Sequence, residues 1–365
     1  MRIGLIAPPW LQVPPSRYGG TESVVDTLAR GLQAAGCEVL LATTGDATCP
    51  VDRCWTLPRA LGTDTGTTDD ELVHVSFAHH ELVAAGCDII HDHTMLGPLW
   101  WAAQPGPVPV VTTHHGLFDA AAIARAERIA GKVPIIAVSE HQRATAPSVP
   151  IAGVIHHGVD IDGFTDLGGG DDLVFLGRMS PDKGVHRAIS AARLAGRRLI
   201  VAAKMWDRSE HAYFAEMVEP LLGPDVEYVG ELDTAAKREL LGRAAALVHP
   251  ISCSEPFALV AVEALASGTP VVAPRVGSAS EILDHGRNGF LCEDEADMSD
   301  CLTRLDEIDR SACRSTAVAR FSSQRLVADH LRLYPEVIAG SESTIDLRLS
   351  VTRPADDARR AALSP

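Results

Sequence analysis

The stretch Ser254–Val272, SEPFALVAVEALASGTPVV, is apolar apart from a few small polar residues and two carboxylates, Glu255 and Glu263, set eight positions apart. Its spacing predicts a helix that starts at Ser254 or Glu255, either of which can cap it, and runs to Ala266. Pro256 falls in the first turn, where a missing N–H does no harm. Gly268 stops the helix, and the β-branched run Pro270–Pro274 reads as a strand. An apolar helix that delivers straight into a strand buried on both faces is a repeating unit of parallel α/β sheets.

The same alternation runs outward along the chain. Upstream, RIGLIA (Arg2–Ala7) precedes a helical pattern with Val24, Val25, Leu28 and Leu32 on one face and Gly36 as its stop. The runs EVLLATT, DIIHDH, PVVTTHH, PIIAVS and GVIHHGV follow as further strands. The segment Asp160–Leu173, with three consecutive glycines and five aspartates, has the composition of a linker. Beyond it, LVFLG, RRLIVAA, VEYVG, AALVHP and PVVAP repeat the pattern, with helices expected at Gly184–Leu194 and Thr234–Ala246. The expected fold is α/β: two Rossmann-like doubly wound domains, 1–160 and 161–320, facing across a cleft. A terminal helix over 321–340 would pack back on the first domain, and 341–365 is expected to be a disordered tail.

A chain of 365 residues fits two domains, and 46% hydrophobic with 22% charged residues fits two real cores. The net charge of −16 argues against nucleic acid, yet leaves room for a small phosphorylated ligand held by local cations. The eight cysteines form no C-x-x-C, so reduced thiols are expected rather than a zinc site. No apolar run approaches the about 18–20 residues that a membrane span needs, and MRIGLIAPPW is too short for a secretory leader. A cytoplasmic location is expected. The chain is expected to be a monomer or a homodimer.

Four segments carry chemistry. In GRMSPDKG (Gly177–Gly184), Arg178 and Lys183 bracket a turn between strand and helix, where two cations can hold a diphosphate or stand solvated at the surface. At the start of the opening helix, the N–H groups of Phe257, Ala258 and Leu259 favour an anion. Along a straight helix Glu255 and Glu263 would lie about 12 Å apart. That is too far for a glycosidase pair, which needs about 5–9.5 Å. It suits two carboxylates that grip separate parts of an elongated, hydroxyl-bearing ligand, though Glu263 alone could be a buried structural acid. In PPSRYGGTES (Pro14–Ser23), Gly19 and Gly20 let backbone approach a ligand, but the spacing is not the dinucleotide G-x-G-x-x-G. HDH (His91–His93) and TTHHG (Thr112–Gly116) end strands at the cleft, so one of His114 and His115 should reach a ligand; a metal site there is not expected.

Together these segments resemble the retaining glycosyltransferases of family 4, which have the GT-B architecture, over Met1 to about Ile338, and among them the actinomycete antibiotic-pathway members. EPFALVAVE resembles the family's E-x7-E motif, GRMSPDKG its donor-diphosphate loop, and YGGTE, TTHHG and VIHHGVDIDGF its other signatures. The resemblance implies a donor-binding set and a catalytic set, the latter Arg178, Lys183, Glu255 and His115. Arg178 and Lys183 would neutralise the donor diphosphate, with Gly20 against it. Glu255, with Pro256, Phe257, Ala258 and Leu259, would bind the donor sugar and phosphates. Glu263 would bind ribose, the loop with Glu231 and Leu232 would meet the base, and His115 would stand beside the transferred sugar. Glu281 matches a family glutamate read here as structural. One departure is Ala258, where many members have glycine.

The expected function is retaining transfer of a sugar from a nucleotide diphosphate donor, UDP first, to an acceptor hydroxyl, without metal or other cofactor. The alternatives are a GT-B epimerase or phosphorylase, and a non-catalytic nucleotide-sugar binder. Acceptor choice is expected in Pro8–Gly20, Gly45–Asp70 and Leu117–Ala130, through Trp10, Tyr18, Trp55 and Phe118.

Overall fold

The computed structural model describes residues 1–62 and 68–351. Two parallel sheets form the two lobes. The first holds β1 (Arg2–Ile6), β2 (Glu38–Ala42), β3 (Asp52–Cys54), β4 (Ile89–Asp92), β5 (Val110–His114), β6 (Ile135–Ala137) and β7 (Ile151–Val154) in the order β3-β2-β1-β4-β5-β6-β7. The second holds β8 (Leu173–Arg178), β9 (Leu199–Lys204), β10 (Val226–Gly230), β11 (Ala246–Val248), β12 (Val271–Pro274) and β13 (Gly289–Cys292) in the order β10-β9-β8-β11-β12-β13. The first lobe's helices are α1 (Gly20–Ala34), α2 (Thr68–Ala84), α3 (Gly97–Ala103), α4 (Ala120–Ile129) and α5 (Glu140–Thr145). In the second they are α6 (Val185–Leu194), α7 (Arg208–Tyr213), α8 (Thr234–Arg243), α9 (Leu259–Ala266), α10 (Ala279–Ile282), α11 (Glu295–Leu302) and α12 (Arg310–Phe321), with α13 (Ser323–Val351) last.

The strand order reverses between β1 and β4, and again between β8 and β11. Such reversals open a crevice at the carboxyl ends of the strands. The loops that leave those strands are the ones singled out above: Ala7–Gly19 after β1, Met179–Gly184 after β8 and His249–Ala258 after β11. Topology thus carries the chemistry-bearing loops of both lobes to one place.

Several boundaries differ from the sequence reading. β3 and β13 are three- and four-residue strands that were not expected, and β7 lies earlier than GVIHHGV. The helix over 254–266 begins at Leu259, with Ala258 as its N-cap. The last helix extends to Val351, so the tail expected over 341–365 is helical at its start; 352–365 lie outside the described residues. Before α13 the chain crosses back to the first lobe, where Val159 N–H donates to Phe321 O and Ser323 N–H to Val159 O. Leu326, Val327, Tyr334 and Val337 of α13 then complete the core that Leu28 and Leu32 of α1 share with β1 and β2.

Candidate functional site

A cavity of about 660 Å³ lies between the lobes, at the carboxyl ends of both sheets. From the second lobe it receives Lys183 of the β8 loop, Glu255 of the β11 loop, and Glu263 of α9. The Lys183 ammonium donates to Glu255 Oε2, and Lys237 Nζ of α8 donates to Glu263 Oε1 at 2.5 Å. The two carboxylates of the opening stretch therefore hold one lysine each. All four side chains are mostly buried. A buried ion keeps its charge only beside a partner, so each pair presents a fixed cation and a fixed acceptor to whatever enters.

Local structure explains the positions. Ser180–Gly184 is a tight turn in which Lys183 N–H donates to Ser180 O, and Ser252 N–H donates to Asp182 O, tying the β8 loop to the β11 loop. Glu255 does not begin the helix that was expected from Ser254 or Glu255; it lies three residues before the N-cap, Ala258. Its N–H donates to Cys253 O instead, and its carbonyl accepts from Ser278 N–H. Glu255 thus sits on a braced loop, the straight-helix spacing to Glu263 does not apply, and the entrance of α9 at Leu259 and Val260 opens on the cavity. Ala258 has φ of −84°, so this position does not need the glycine that other members carry. Behind Glu255, Gly277 has φ of +62°, and a Cβ there would lie 2.6 Å from Glu255 O.

The remaining expected residues divide. Gly20, His115, Glu231, Leu232, Phe257, Ala258 and Leu259 line the cavity as well. Arg178 and Pro256 do not: the Arg178 guanidinium is held by Asp182 Oδ2 at 3.1 Å, at the rim, where its charge still bears on Tyr18. Phe257 also packs against His156, His157 and Phe321, at the seam between the lobes. Of the aromatic residues expected to meet an acceptor, Trp10 and Tyr18 reach the cavity. Trp55 is exposed beneath Arg53, and Phe118 is buried against His114. Residues 63–67 of the Gly45–Asp70 loop lie outside the described residues.

The histidines form a stack. His93 Nδ1 and His115 Nε2 are 2.9 Å apart, and His115 Nδ1 and His157 Nε2 are 3.4 Å apart. His91 adjoins His93 and bonds Tyr334 of α13 and Thr113. Burial keeps these imidazoles neutral, taking His115 down to about 3. Both His115 nitrogens are occupied, so a sugar hydroxyl reaches one only if the longer bond to His157 gives way. Among the described residues no group of three or more histidines, cysteines, aspartates or glutamates could hold a metal ion.

Lys237, His249, Lys204 and Glu22 are among the lining residues that escaped the sequence reading as site residues. Lys237 sits in TAAKREL, which reads as an ordinary solvated helix face. His249, at the end of β11, is 3.8 Å from Glu255 Oε2, and burial takes it down to about 4. Lys204 pairs with Glu210 at 3.3 Å and stands 3.8 Å over the Trp206 ring. Glu22, in the first turn of α1, has a carboxyl that burial pushes up to about 7. Its place on the buried face of the helix, three and seven positions before Val25 and Ala29, is the signal that could have found it.

Two joints link the lobes. On the hinge side, Glu281 accepts from the backbone N–H groups of Glu140 and His141 at 2.8 and 2.7 Å and meets His156 Nε2 at 2.8 Å. Burial disfavours that charge, but these bonds outweigh it and hold the carboxyl below its usual range. On the mouth side, Glu231 accepts from Tyr18 N–H and from Trp206 Nε1, both at 3.2 Å, with Arg17 at 3.8 Å.

The profile of glycosyl transferases group 1 matches residues 170–307, and that of Glycosyltransferase Family 4 matches 18–162. The chain is 27% identical to the phosphatidyl-myo-inositol mannosyltransferase of Mycobacterium leprae, over 95% of this chain and all of the relative. It is 30% identical to the D-inositol 3-phosphate glycosyltransferase of Mycolicibacterium smegmatis, over 75% of this chain and 71% of that one. Among solved structures it resembles AviGT4, a glycosyltransferase involved in avilamycin A biosynthesis, with a TM-score of 0.69 at 25% identity over 93% of this chain and 98% of that one. Anabaena HepE, solved with UDP and glucose, shares the fold with a TM-score of 0.71 at 20% identity over 90% and 98%. With two doubly wound lobes, a cleft at their strand ends and both family profiles matched in order, the chain belongs to the family 4 glycosyltransferases of the GT-B fold.

Proposed function

We propose that this enzyme takes a sugar from a nucleotide diphosphate donor, with UDP as the carrier, and passes it to an acceptor hydroxyl with its anomeric configuration retained. The carrying observation is the pair of lysine-bonded carboxylates on the second-lobe wall of one cavity. Lys183 supplies charge for the diphosphate, with Arg178 at the rim and the entrance of α9 beside it. Glu255 and Glu263, each steadied by its lysine, accept hydroxyls from the donor sugar and the ribose.

As the bond from the anomeric carbon to the diphosphate oxygen breaks, the leaving group gains negative charge, which preorganised cations stabilise. The acceptor oxygen forms the new bond on the same face, and its proton passes to the leaving diphosphate. The curated relatives named above carry inositol in their names, which favours a polyhydroxylated acceptor. Eight free thiols suit a reducing compartment, the cytosol.

A thermal-shift screen of nucleoside diphosphates, followed by product analysis of the matching sugar nucleotides, tests the assignment. UDP should raise the melting temperature most. Lys183→Ala should lose about 10²–10³ in rate, the usual cost of removing one preorganised donor. Near-normal turnover in that variant refutes the role. Release of free epimer or sugar phosphate without an acceptor product would point to an epimerase or phosphorylase, and binding without turnover to a silent binder.

A further inference from the structure

Four glutamates line the cavity: Glu22, Glu231, Glu255 and Glu263. Three of them meet a lysine or arginine. Glu22 has no ion pair among the described residues, although it is only 5% exposed, and its own backbone N–H is the one group that favours its charge. The ordinary structural account of a glutamate at the third helical position is a capping box, in which the carboxyl reaches back to the N-cap N–H. No such bond to Gly19 is present, and no side chain caps α1. Ser23 and Thr27 donate to Gly19 O and Ser23 O, so the first turn is braced without Glu22. A buried acid with no cation beside it costs stability, and a ligand can supply the hydroxyls that its carboxyl lacks.

Glu22 comes from the lobe opposite Lys183 and Glu255, and Trp10 and Tyr18 line the same cavity. Gly20, two positions before it, has no neighbour within 4 Å of where a Cβ would stand, so the approach is open. We propose that Glu22 binds the acceptor: its carboxyl takes hydroxyls of a sugar or cyclitol and turns the attacking oxygen toward the donor held on the opposite wall. This assignment rests on the glycosyl-transfer reading above. Glu22 moves no proton of the reaction; it orients the acceptor.

The test uses the full chain and whichever of UDP-glucose, UDP-galactose, UDP-N-acetylglucosamine and GDP-mannose the native enzyme turns over. The acceptors are myo-inositol, methyl α-glucoside and glucosamine. In Glu22→Gln the acceptor KM should rise tenfold or more, as expected for the loss of one charge-assisted hydrogen bond. Calorimetric affinity for the nucleoside diphosphate should stay within twofold, and the variant should melt at a higher temperature than the native protein at pH 8. An unchanged acceptor KM overturns the assignment. So does an equal loss of nucleotide affinity, which would place Glu22 on the donor, or a lower melting temperature with both affinities unchanged. An effect confined to glucosamine overturns the hydroxyl chemistry. A native protein that neither binds a nucleotide nor transfers a sugar fails the parent reading, and this one with it.

Discussion

Glu22 has a thermodynamic signature of its own. Burial disfavours the charge and pushes its carboxyl up to about 7 in the folded chain, against 4.5 for a freely solvated glutamate. Below pH 4.5 it is protonated in both states and takes nothing from stability. As pH rises toward 7 the unfolded chain gives up its proton first, so the folded state holds the extra proton and stability falls. Above 7 the loss is complete, on the order of 3 kcal/mol. Glu22→Gln has no such proton, so denaturant titrations should find the two proteins nearly equal at pH 4 and the variant ahead at pH 8; parallel curves across that range would contradict the burial argument. Lys237 works in the opposite sense. Removing the partner of a buried carboxylate typically costs about 3–5 kcal/mol, so Lys237→Met, by stranding Glu263, should lower the melting temperature and raise the KM for the donor together. A variant as stable as the native chain would show that Glu263 does not depend on its lysine. Neither residue was legible beforehand as a site residue. Glu22 stood in a loop read for its glycines, and Lys237 was one charge on a polar helix until the fold brought α8 against α9.

At the scale of elements, β-branched runs buried on both faces made most strands legible, because a strand in a parallel sheet needs that composition along its whole length. β3 and β13 are too short to carry a pattern, and they join sheet edges already set by their neighbours. The helix of the opening stretch was legible in type but not in origin. Its apolar period says nothing about the backbone at Glu255, where the contacts with Gly277 and Ser278 decide. The contact with Gly277 gives an element-level prediction. Gly277→Ala places a methyl in left-handed backbone and within 2.6 Å of Glu255 O, so the loop must shift. Backbone strain of this kind costs about 1–3 kcal/mol. We expect a lower melting temperature and a several-fold higher donor KM, because the Lys183–Glu255 pair moves with the loop. A stability loss with unaltered donor kinetics would show that Glu255 does not depend on this brace.

The whole molecule is held at two places of different character. The hinge joins Glu281 to the entrance of α5 and Ser254 Oγ to His141 Nε2 at 2.5 Å. These contacts are half-buried and lie where the chain itself crosses between lobes. At the mouth, Glu231, bonded to Trp206 of its own lobe, meets Tyr18 and Arg17 across the cleft, and the Tyr18 ring packs edge-on against Trp206. Arg17 is largely exposed, so its ion pair adds only about 0–1 kcal/mol, and the bond from Tyr18 with its ring contact to Trp206 carries the rest. A clasp of that strength closes the cavity while still opening often enough to admit a substrate. The sequence reading assigned Glu231 to the nucleobase, and stopped-flow binding of the nucleoside diphosphate to Glu231→Ala separates the two roles. If Glu231 is the clasp, association and dissociation both quicken several-fold, with little change in affinity, because the open form is populated more in both directions. If Glu231 touches the base, dissociation alone quickens and affinity falls by the same factor. The contacts its carboxylate already makes with Tyr18 and Arg17 across the cleft favour the first outcome, and unchanged association in the variant would refute it.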